Sequence, residues 1–509
     1  MAAPGSVPGR TYVRCRKEGA TTRARVGDIG VIRRTVGCPY VQHDGSALSP
    51  KRKAPCVMVS ESLAAALARA GSPVELLRNL SFPPSTFPVK PEFTNWRSEQ
   101  RAWLESCALL DQSHHMTDLF VEGEDALRLF SDLAVNTFAN FGPGKAKQFV
   151  AVAPDGHLIG DAILFHLDEN SFDLVGHPMV IDWVTFHLER GDYKATAVRD
   201  DNSIVRKSGP PKLYRYELQG PTSLALLEQV TGASVPEARF FSMAEFTIAG
   251  RRVRGLRHGM AGQPGFELFG PWEDGEAVLA ALLEAGADHG LVRVGAKAYS
   301  TANLGSGWVP APLPAIFGDD PLLAEYREWL PIEKVGSIGG SLDSPDIADY
   351  YLTPYDIGYG KTVKFDHDFV GREALEAMGQ ETPPRTKVTL VWDADDVTAA
   401  IGSLYRPGPG AKYIEMPKAR YATHHEDAVL KDGRPVGISL DCGYLANERE
   451  MVSLAAIDSA LAEPGTEVTV VWGENPVSAK PVVEPHVQVH IRAVVAPCPY
   501  DARDTYRSR

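Results

Sequence analysis

Two stretches of this chain combine reactive side chains with backbone freedom. Arg257-His258-Gly259-Met260-Ala261-Gly262-Gln263-Pro264-Gly265-Phe266-Glu267 is a glycine-rich turn that runs into a carboxylate. Ala298-Tyr299-Ser300-Thr301-Ala302-Asn303-Leu304-Gly305-Ser306-Gly307-Trp308 sets a tyrosine and a tryptophan beside small residues. Each alone is also explained by turn chemistry plus aromatic packing. Together they suit a flat apolar ligand edged by a few polar groups. A third stretch, Asp111-Gln112-Ser113-His114-His115, places two imidazoles side by side. Adjacent strand residues face opposite ways, so a strand here offers one imidazole at most to a metal, and no metal site is expected. Each histidine then reads either as a hydrogen-bonded core group or as a binding or catalytic one. The glycines at 336–340 and 402–410 fit neither GxGxxG nor a P-loop. The chain has no GxSxG, which removes an α/β-hydrolase reading.

The elements that must carry these residues follow from hydrophobic periodicity. A helical run is expected from 59 to 70, beginning at Val59-Ser60-Glu61-Ser62. Further helices are expected at 98–108, 124–134, 178–189, 223–230 and 276–289, the last ended by Gly290. Strands are expected at 116–121, 149–152, 161–165, 172–176, 214–218, 246–248 and 252–256. Asp168-Glu169-Asn170 is the turn that closes 161–165 and 172–176 into a hairpin. Residues 310–320 read as loop. A linker is expected at 379–385, where Thr382-Pro383-Pro384 resists regular structure. Beyond it strands dominate, at 387–392, 429–430, 436–439, 467–472 and 487–494, which predicts a small C-terminal barrel. The class is α+β.

A length of 509 residues sets a prior of two to four domains. The apolar share of 44% and charged share of 23% are those of a globular protein, not of a disordered or coiled-coil chain. No apolar run reaches the length of a membrane span. The net charge of −13 is unevenly spread. Residues 1–57 hold eleven Lys or Arg against three acids, a net of +8, which leaves −21 for the other 452 residues. The acidic body argues against a nucleic-acid partner. The head contains Cys15, Cys38 and Cys56, while Cys107, Cys442 and Cys498 are scattered and no CxxC occurs. Such usage points to a reducing cytoplasm. Proline and glycine interrupt the head, and it lacks the apolar core of a secretory signal. Residues 1–57 are therefore expected to be a basic disordered extension, with Met58 as the natural start.

Six segments carry a resemblance. They are 111–116, Gly144-Lys145-Ala146-Lys147-Gln148, Gln219-Gly220-Pro221, 257–267, 303–308 and 355–374. In this order they resemble the tetrahydrofolate-dependent aromatic O-demethylases, the vanillate/3-O-methylgallate and syringate demethylase group. That group shares the fold of the aminomethyltransferase (T-protein) of glycine cleavage. Tyr355-Asp356-Ile357-Gly358-Tyr359-Gly360, Val363-Lys364 and Phe369-Val370-Gly371-Arg372 match the signature of the wider folate-binding fold. The likeness covers about residues 58–503. It implies an aminomethyltransferase-like three-part folate-binding core over 58–378, made of two intertwined subdomains, and a C-terminal β-barrel domain over 385–509. It also implies transfer of a methyl group from an aromatic methyl ether to N5 of tetrahydrofolate, giving a phenol or catechol and 5-methyltetrahydrofolate.

The resemblance assigns roles. Tyr299 stands at the position of the family's catalytic tyrosine; an aryloxide leaves readily only if its oxygen is protonated or hydrogen-bonded. His115 matches a substrate-binding position, and His114 is expected to be structural. Glu267 matches a pterin-facing carboxylate and Trp308 a residue flanking folate. Gln112, Gln148 and the Val175 backbone match other pocket positions, and Glu217 stands where relatives carry Gln. Three departures concern the substrate and folate ends. Gly305 replaces a Glu. His177 replaces an Arg that pairs with a substrate carboxylate, and imidazole does not substitute for a bidentate guanidinium. Phe87 replaces a Tyr. These changes imply an altered substrate and an unaltered reaction. Competing readings are an N- or S-demethylase of the same fold, which would need a polar cage for a cationic substrate, and a non-catalytic folate-binding protein. Such proteins carry Lys-Gly-Cys-Tyr in the region of 365–372, where this chain has no Cys.

Overall fold

The computed structural model describes residues 60–81, 87–474, 478 and 480–500. The basic head and the expected start at Met58 lie outside the described residues. From Ser60 the chain builds two mixed α/β layers and a barrel, and the candidate residues sit where these meet.

The first layer is a six-stranded sheet in the order Leu291–Val294, Cys107–Asp111, Leu213–Gln219, Gly265–Pro271, Arg251–Leu256, Met243–Ile248. Its first pair is parallel and the rest antiparallel. Helices Ser223–Thr231 and Gly275–Gly286 cover one face, closing Leu218, Leu226, Phe266, Leu268, Val278 and Leu282 away from water. The second layer is antiparallel, in the order Lys145–Val152, Leu158–Asp168, Ser171–Gly176, Thr117–Gly123, Ala195–Asp200. Helix Pro178–Arg190 packs on it, with Trp183 buried and edge-on to Tyr326 at 5.0 Å. Pro178 starts that helix because its missing N–H is not needed at the first position. Asn170 takes the left-handed conformation (φ 59°) that the tight turn before Ser171 requires.

The C-terminal strands close into a six-stranded barrel in the order Arg385–Trp392, Glu450–Asp458, Arg434–Leu445, Asp427–Lys431, Glu467–Trp472, Val489–Ala496. The periodic reading omitted Glu450–Asp458, and the packing explains why. Met451, Ala455 and Ile457 face the barrel interior, while Val452, Leu454 and Ala456 pack outward against Leu304 and Val309. A strand buried on both faces shows no alternation. Helix Ala394–Ser403, capped by Asp393, is likewise absent from the sequence-based expectation.

Two other expectations are corrected. The helix expected over 98–108 ends at Glu105, and Cys107–Asp111 is a central strand. Its residues Cys107, Ala108, Leu109 and Leu110 are buried between two neighbours, so tertiary pairing overrides helical spacing. His114 and His115 lie in the turn after that strand, not within it. They still point apart: His114 Nδ1 is 2.8 Å from Ser203 Oγ, and His115 Nε2 is 2.7 Å from Tyr299 Oη.

Candidate active site

Tyr299 ends a one-turn helix, Ala296–Tyr299, directly after strand Leu291–Val294. The buried carboxylate of Glu99 fixes the start of that helix by accepting from the backbone N–H of Phe93 (2.7 Å), Thr94 (2.8 Å) and Gly295 (2.9 Å). Gly295 allows this approach, because a Cβ there would lie 2.4 Å from the Pro91 carbonyl oxygen. Tyr299 and His115 meet edge to face, with centroids 4.9 Å apart. Burial, then the charges of His114, Arg420 and Arg215, pushes His115 down to about 4, so its imidazole is neutral at pH 7. The backbone of Gln112 hydrogen-bonds the same imidazole in the sense that favours its proton, so Nδ1–H donates to that carbonyl. Nε2 is then the acceptor, and the Tyr299 hydroxyl donates to it. Burial and the nearby Glu217 and Glu267 push the phenol well above its ordinary 10, so Tyr299 keeps its proton. Gln112 Nε2 lies 3.5 Å from Tyr299 Oη and also donates to Glu217. Phe87 sits edge-on to His115, at 6.0 Å between centroids.

Behind this group lies a buried charge cluster. Glu217 and Glu267 are register partners on adjacent strands. Arg215 donates to Glu267 (3.0 Å), Asp118 (2.5 Å) and Asp173 (2.6 Å), which joins the two sheets. Among the described residues no guanidinium reaches Glu217. Its carboxyl oxygens accept from the Met260 backbone (2.6 Å) and from Gln112. Burial first, and the Glu267 charge second, push it up to about 8. At pH 7 Glu217 is therefore a neutral acid, close in shape and polarity to a glutamine. The glycine-rich turn closes over this cluster: Ala261 N donates to Gln219 Oε1 (2.7 Å), and a Cβ on Gly259 would fall 1.1 Å from Gln219 Nε2.

Because the folded-state value for Glu217 lies above the ordinary 4.5, folding favours the protonated form. Its contribution to stability is complete below about 4.5 and is lost as pH rises through about 8. Glu217→Gln is expected to remove this dependence and to raise stability at pH 8 by on the order of 3 kcal/mol. Urea midpoints of both proteins at pH 5.5 and 8 check it; equal pH slopes for the two would count against a neutral Glu217.

A second focus is Asp161, which the sequence reading passed over. Gln148 Nε2, Trp308 Nε1 (2.9 Å) and Tyr359 Oη (2.7 Å) all donate to its Oδ2. Burial raises this carboxyl and the three donors oppose the rise. The available signal was an acid inside the apolar strand Leu158–Asp168. Tyr359 belongs to the segment Tyr355–Gly360. Gln148 and Val175 flank Ile163 in register on neighbouring strands, which sets them on one row across the sheet. Trp308 follows Gly307, whose left-handed φ of 72° turns the chain out of helix Ala302–Ser306. Gly305 has open space where a Cβ would stand and lines a cleft with Gln100, Trp103 and Tyr500.

His177 caps helix Pro178–Arg190: its Nδ1 accepts from Met179 N at 3.5 Å. Burial, His424 and Arg420 push it down to about 3, so it is a neutral group. The structure thus gathers Phe87, Gln112, His115, Glu217, Glu267 and Tyr299 in one group, and Gln148 and Trp308 around Asp161. A cofactor with a polar heterocyclic edge has acceptors to meet at Glu217 and Glu267 and a flat wall at Trp308.

A two-layer α/β core and a six-stranded barrel accompany the paired buried carboxylates and the tyrosine–histidine pair. The GCVT N-terminal domain model matches residues 60–310. Syringate O-demethylase from Sphingobium sp. is 49% identical over 450 residues, covering 87% of this chain and 97% of that protein. Sesamin methylene transferase from Sinomonas sp. is 32% identical over 375 residues, covering 69% of this chain and 78% of the other. The crystal structure of the glycine cleavage system aminomethyltransferase T from Bartonella henselae superposes with a TM-score of 0.55 at 18% identity, covering 82% of this chain and 94% of that one. The chain belongs to the aminomethyltransferase-type (GCVT) family that includes syringate O-demethylase. No helix among the described residues is long and apolar enough to cross a membrane.

Proposed function

We propose that the protein is an aromatic O-demethylase, a methyltransferase that moves a methyl group from an aryl methyl ether to N5 of tetrahydrofolate. The observation that carries this reading is the half-buried Tyr299–His115 pair at 2.7 Å, backed by 49% identity to a syringate O-demethylase. Tetrahydrofolate supplies the N5 nucleophile. On the protein side, Glu267 and neutral Glu217 meet the polar edge of the pterin, with the carboxylate accepting N–H bonds and the acid able to donate or accept. Trp308, held by Asp161, forms a wall of the folate site, and Gln148 with the Val175 backbone lines the same row. Gln112 bridges the two ends, touching Glu217 and Tyr299.

Tyr299 then acts on the leaving oxygen. In the resting site its hydroxyl donates to His115 Nε2 and keeps its proton. As the C–O bond breaks, the ether oxygen becomes anionic and competes for that proton, which strengthens the bond in the transition state more than in the ground state. The balance closes: the oxygen takes up one proton as phenol, and N5 releases one on becoming tertiary. His115 orients the tyrosine and lines the substrate pocket with Phe87 and His177. Alignment of the two bound molecules supplies most of the remaining acceleration. The working unit in this reading is the folate-binding core over 58–378 with the barrel over 385–509, acting in the cytoplasm.

Incubation with tetrahydrofolate and a panel of methoxyarenes, reading 5-methyltetrahydrofolate by mass, tests the proposal. Product from dimethylglycine and none from any methoxyarene would overturn it. His177→Arg is expected to raise kcat/KM several-fold for methoxybenzoates such as vanillate, since a guanidinium can bind a carboxylate through two bonds. Unchanged or lower activity would mean that residue 177 does not face a substrate anion.

A further inference from the structure

We propose that Lys418, on the segment that leads into the barrel, is a positioning residue for Tyr299: its ammonium holds the carbonyl of Ser300, the next residue in the chain, and so fixes where the tyrosine hydroxyl stands. This rests on the O-demethylase reading above. The Ser300 carbonyl lies at the break between two short helices, Ala296–Tyr299 and Ala302–Ser306. Carbonyls at a helix end need partners from outside that helix. Lys418 Nζ donates to this one at 2.8 Å, to Asn303 Oδ1 at 3.0 Å and to the carboxylate of Asp441, on the barrel strand Arg434–Leu445. An ammonium has three N–H bonds, and here each has its own acceptor. No N–H is left over for a substrate, so this buried cation works on the protein alone.

The grip is fixed on both sides. On the barrel side, Tyr444 N donates to the Pro417 carbonyl (2.6 Å), and Ala419 and Tyr421 are buried in the barrel core. Gly443 lets the barrel strand come this close: a Cβ there would lie 2.8 Å from both Leu304 Cδ1 and the Pro417 carbonyl oxygen. On the tyrosine side, Gln100 Nε2 donates to Thr301 Oγ1 (2.7 Å), which donates in turn to the Ala298 carbonyl (2.7 Å). Asn303 extends the node, its Nδ2 donating to Asp441 Oδ2 (2.8 Å) and to the Trp308 carbonyl (3.0 Å). Tyr299 thus stands one residue from a carbonyl held by the barrel, and its Oη meets His115 Nε2 at 2.7 Å. A small rotation of that backbone swings the hydroxyl, at the far end of the ring, out of line. Misplacing a reacting group by about 1 Å can cost about 100-fold in rate.

The test uses Lys418→Met combined with Asp441→Asn, which removes both charges and leaves neither unpaired in the interior. Lys418→Arg, which keeps a cation beside Asp441 but not a tetrahedral donor, is carried through the same measurements and is expected to show the same pattern at smaller amplitude. The first readout needs no activity. With tyrosines isotope-labelled at the ring carbon that bears oxygen, the NMR signal that Tyr299→Phe deletes is expected to shift or broaden in both variants; an unmoved signal would overturn the assignment. The second is a double-mutant cycle on methyl transfer. The paired substitution is expected to lower kcat by about 10- to 100-fold with KM for the methoxyarene within about threefold. Made in a Tyr299→Phe background, it is expected to cost less than about threefold, since no hydroxyl is left to place. Equal losses in the two backgrounds would show a general effect on the fold and overturn the assignment. Absence of methyl transfer from every methoxyarene by the unaltered protein is a different result: it strikes at the O-demethylase reading, and the NMR signal then decides the role of Lys418 alone.

Discussion

Tyr299→Phe is expected to lower kcat by about 100- to 10,000-fold while leaving tetrahydrofolate affinity within about twofold. The substitution removes one oxygen and keeps the ring. Edge contact with His115 at 4.9 Å therefore survives, and so does the packing that fixes the short helix. What is lost is the hydroxyl that meets His115 and that the proposed reaction uses as donor to the departing oxygen. Burial holds this phenol well above 10, so it is protonated across the whole neutral range. The parent enzyme should accordingly show no loss of activity from Tyr299 ionisation up to pH 9. Aryl ethers with electron-withdrawing substituents leave more readily without help, so they should suffer least in the variant. Single-turnover rates across a series of ring substituents, with folate binding followed by fluorescence, measure both parts. Near-normal rates on all ethers would reassign the proton donor.

Arg215→Met is expected to have the largest effect on stability, a loss of about 3–5 kcal/mol. The guanidinium is 3% exposed and serves Asp118, Asp173 and Glu267 at once. Methionine is similar in volume but leaves three acids facing each other without a cation. Burial and Asp118 already push Asp173 well above 3.8, so the cluster is short of positive charge even with Arg215 present. The loss is then expected to shrink at low pH, where the acids can take up protons. Arg215→Lys should rescue little, because a point charge cannot reach three carboxylates in the geometry of a planar fork. Denaturant titration at pH 5 and 7.5 reads both effects. A loss below 1 kcal/mol would show that the cluster is well solvated.

The two clusters behind these predictions differ in how readable they were. Tyr299, His115, Glu267 and Trp308 stood in motifs with unusual local composition, and their family positions could be transferred one by one. Asp161 and Arg215 lie inside strands with ordinary neighbours, where an acid in an apolar run or an Arg between two tyrosines has no local mark. Their roles arise from pairing: Asp161 gathers donors from three distant segments, and Arg215 joins two sheets. The central strand Cys107–Asp111 escaped for a related reason. Its apolar run continues helix Trp96–Glu105 without a break in spacing, and only its neighbours make it a strand.

By itself the sequence determined the class, the hairpin strands, the helices with strong end signals, the barrel's general existence and the tyrosine, histidine and carboxylate of the candidate site. These depend on local periodicity, turn chemistry and residue type, all of which are properties of neighbours in the chain. The tertiary structure decided which state those groups are in. Glu217 is a neutral acid because Glu267 lies in register beside it, in a place without water. His115 accepts from Tyr299 because the backbone of Gln112 takes its other nitrogen. Protonation and charge placement depend on burial and on distances between residues far apart in sequence, and folding alone sets those.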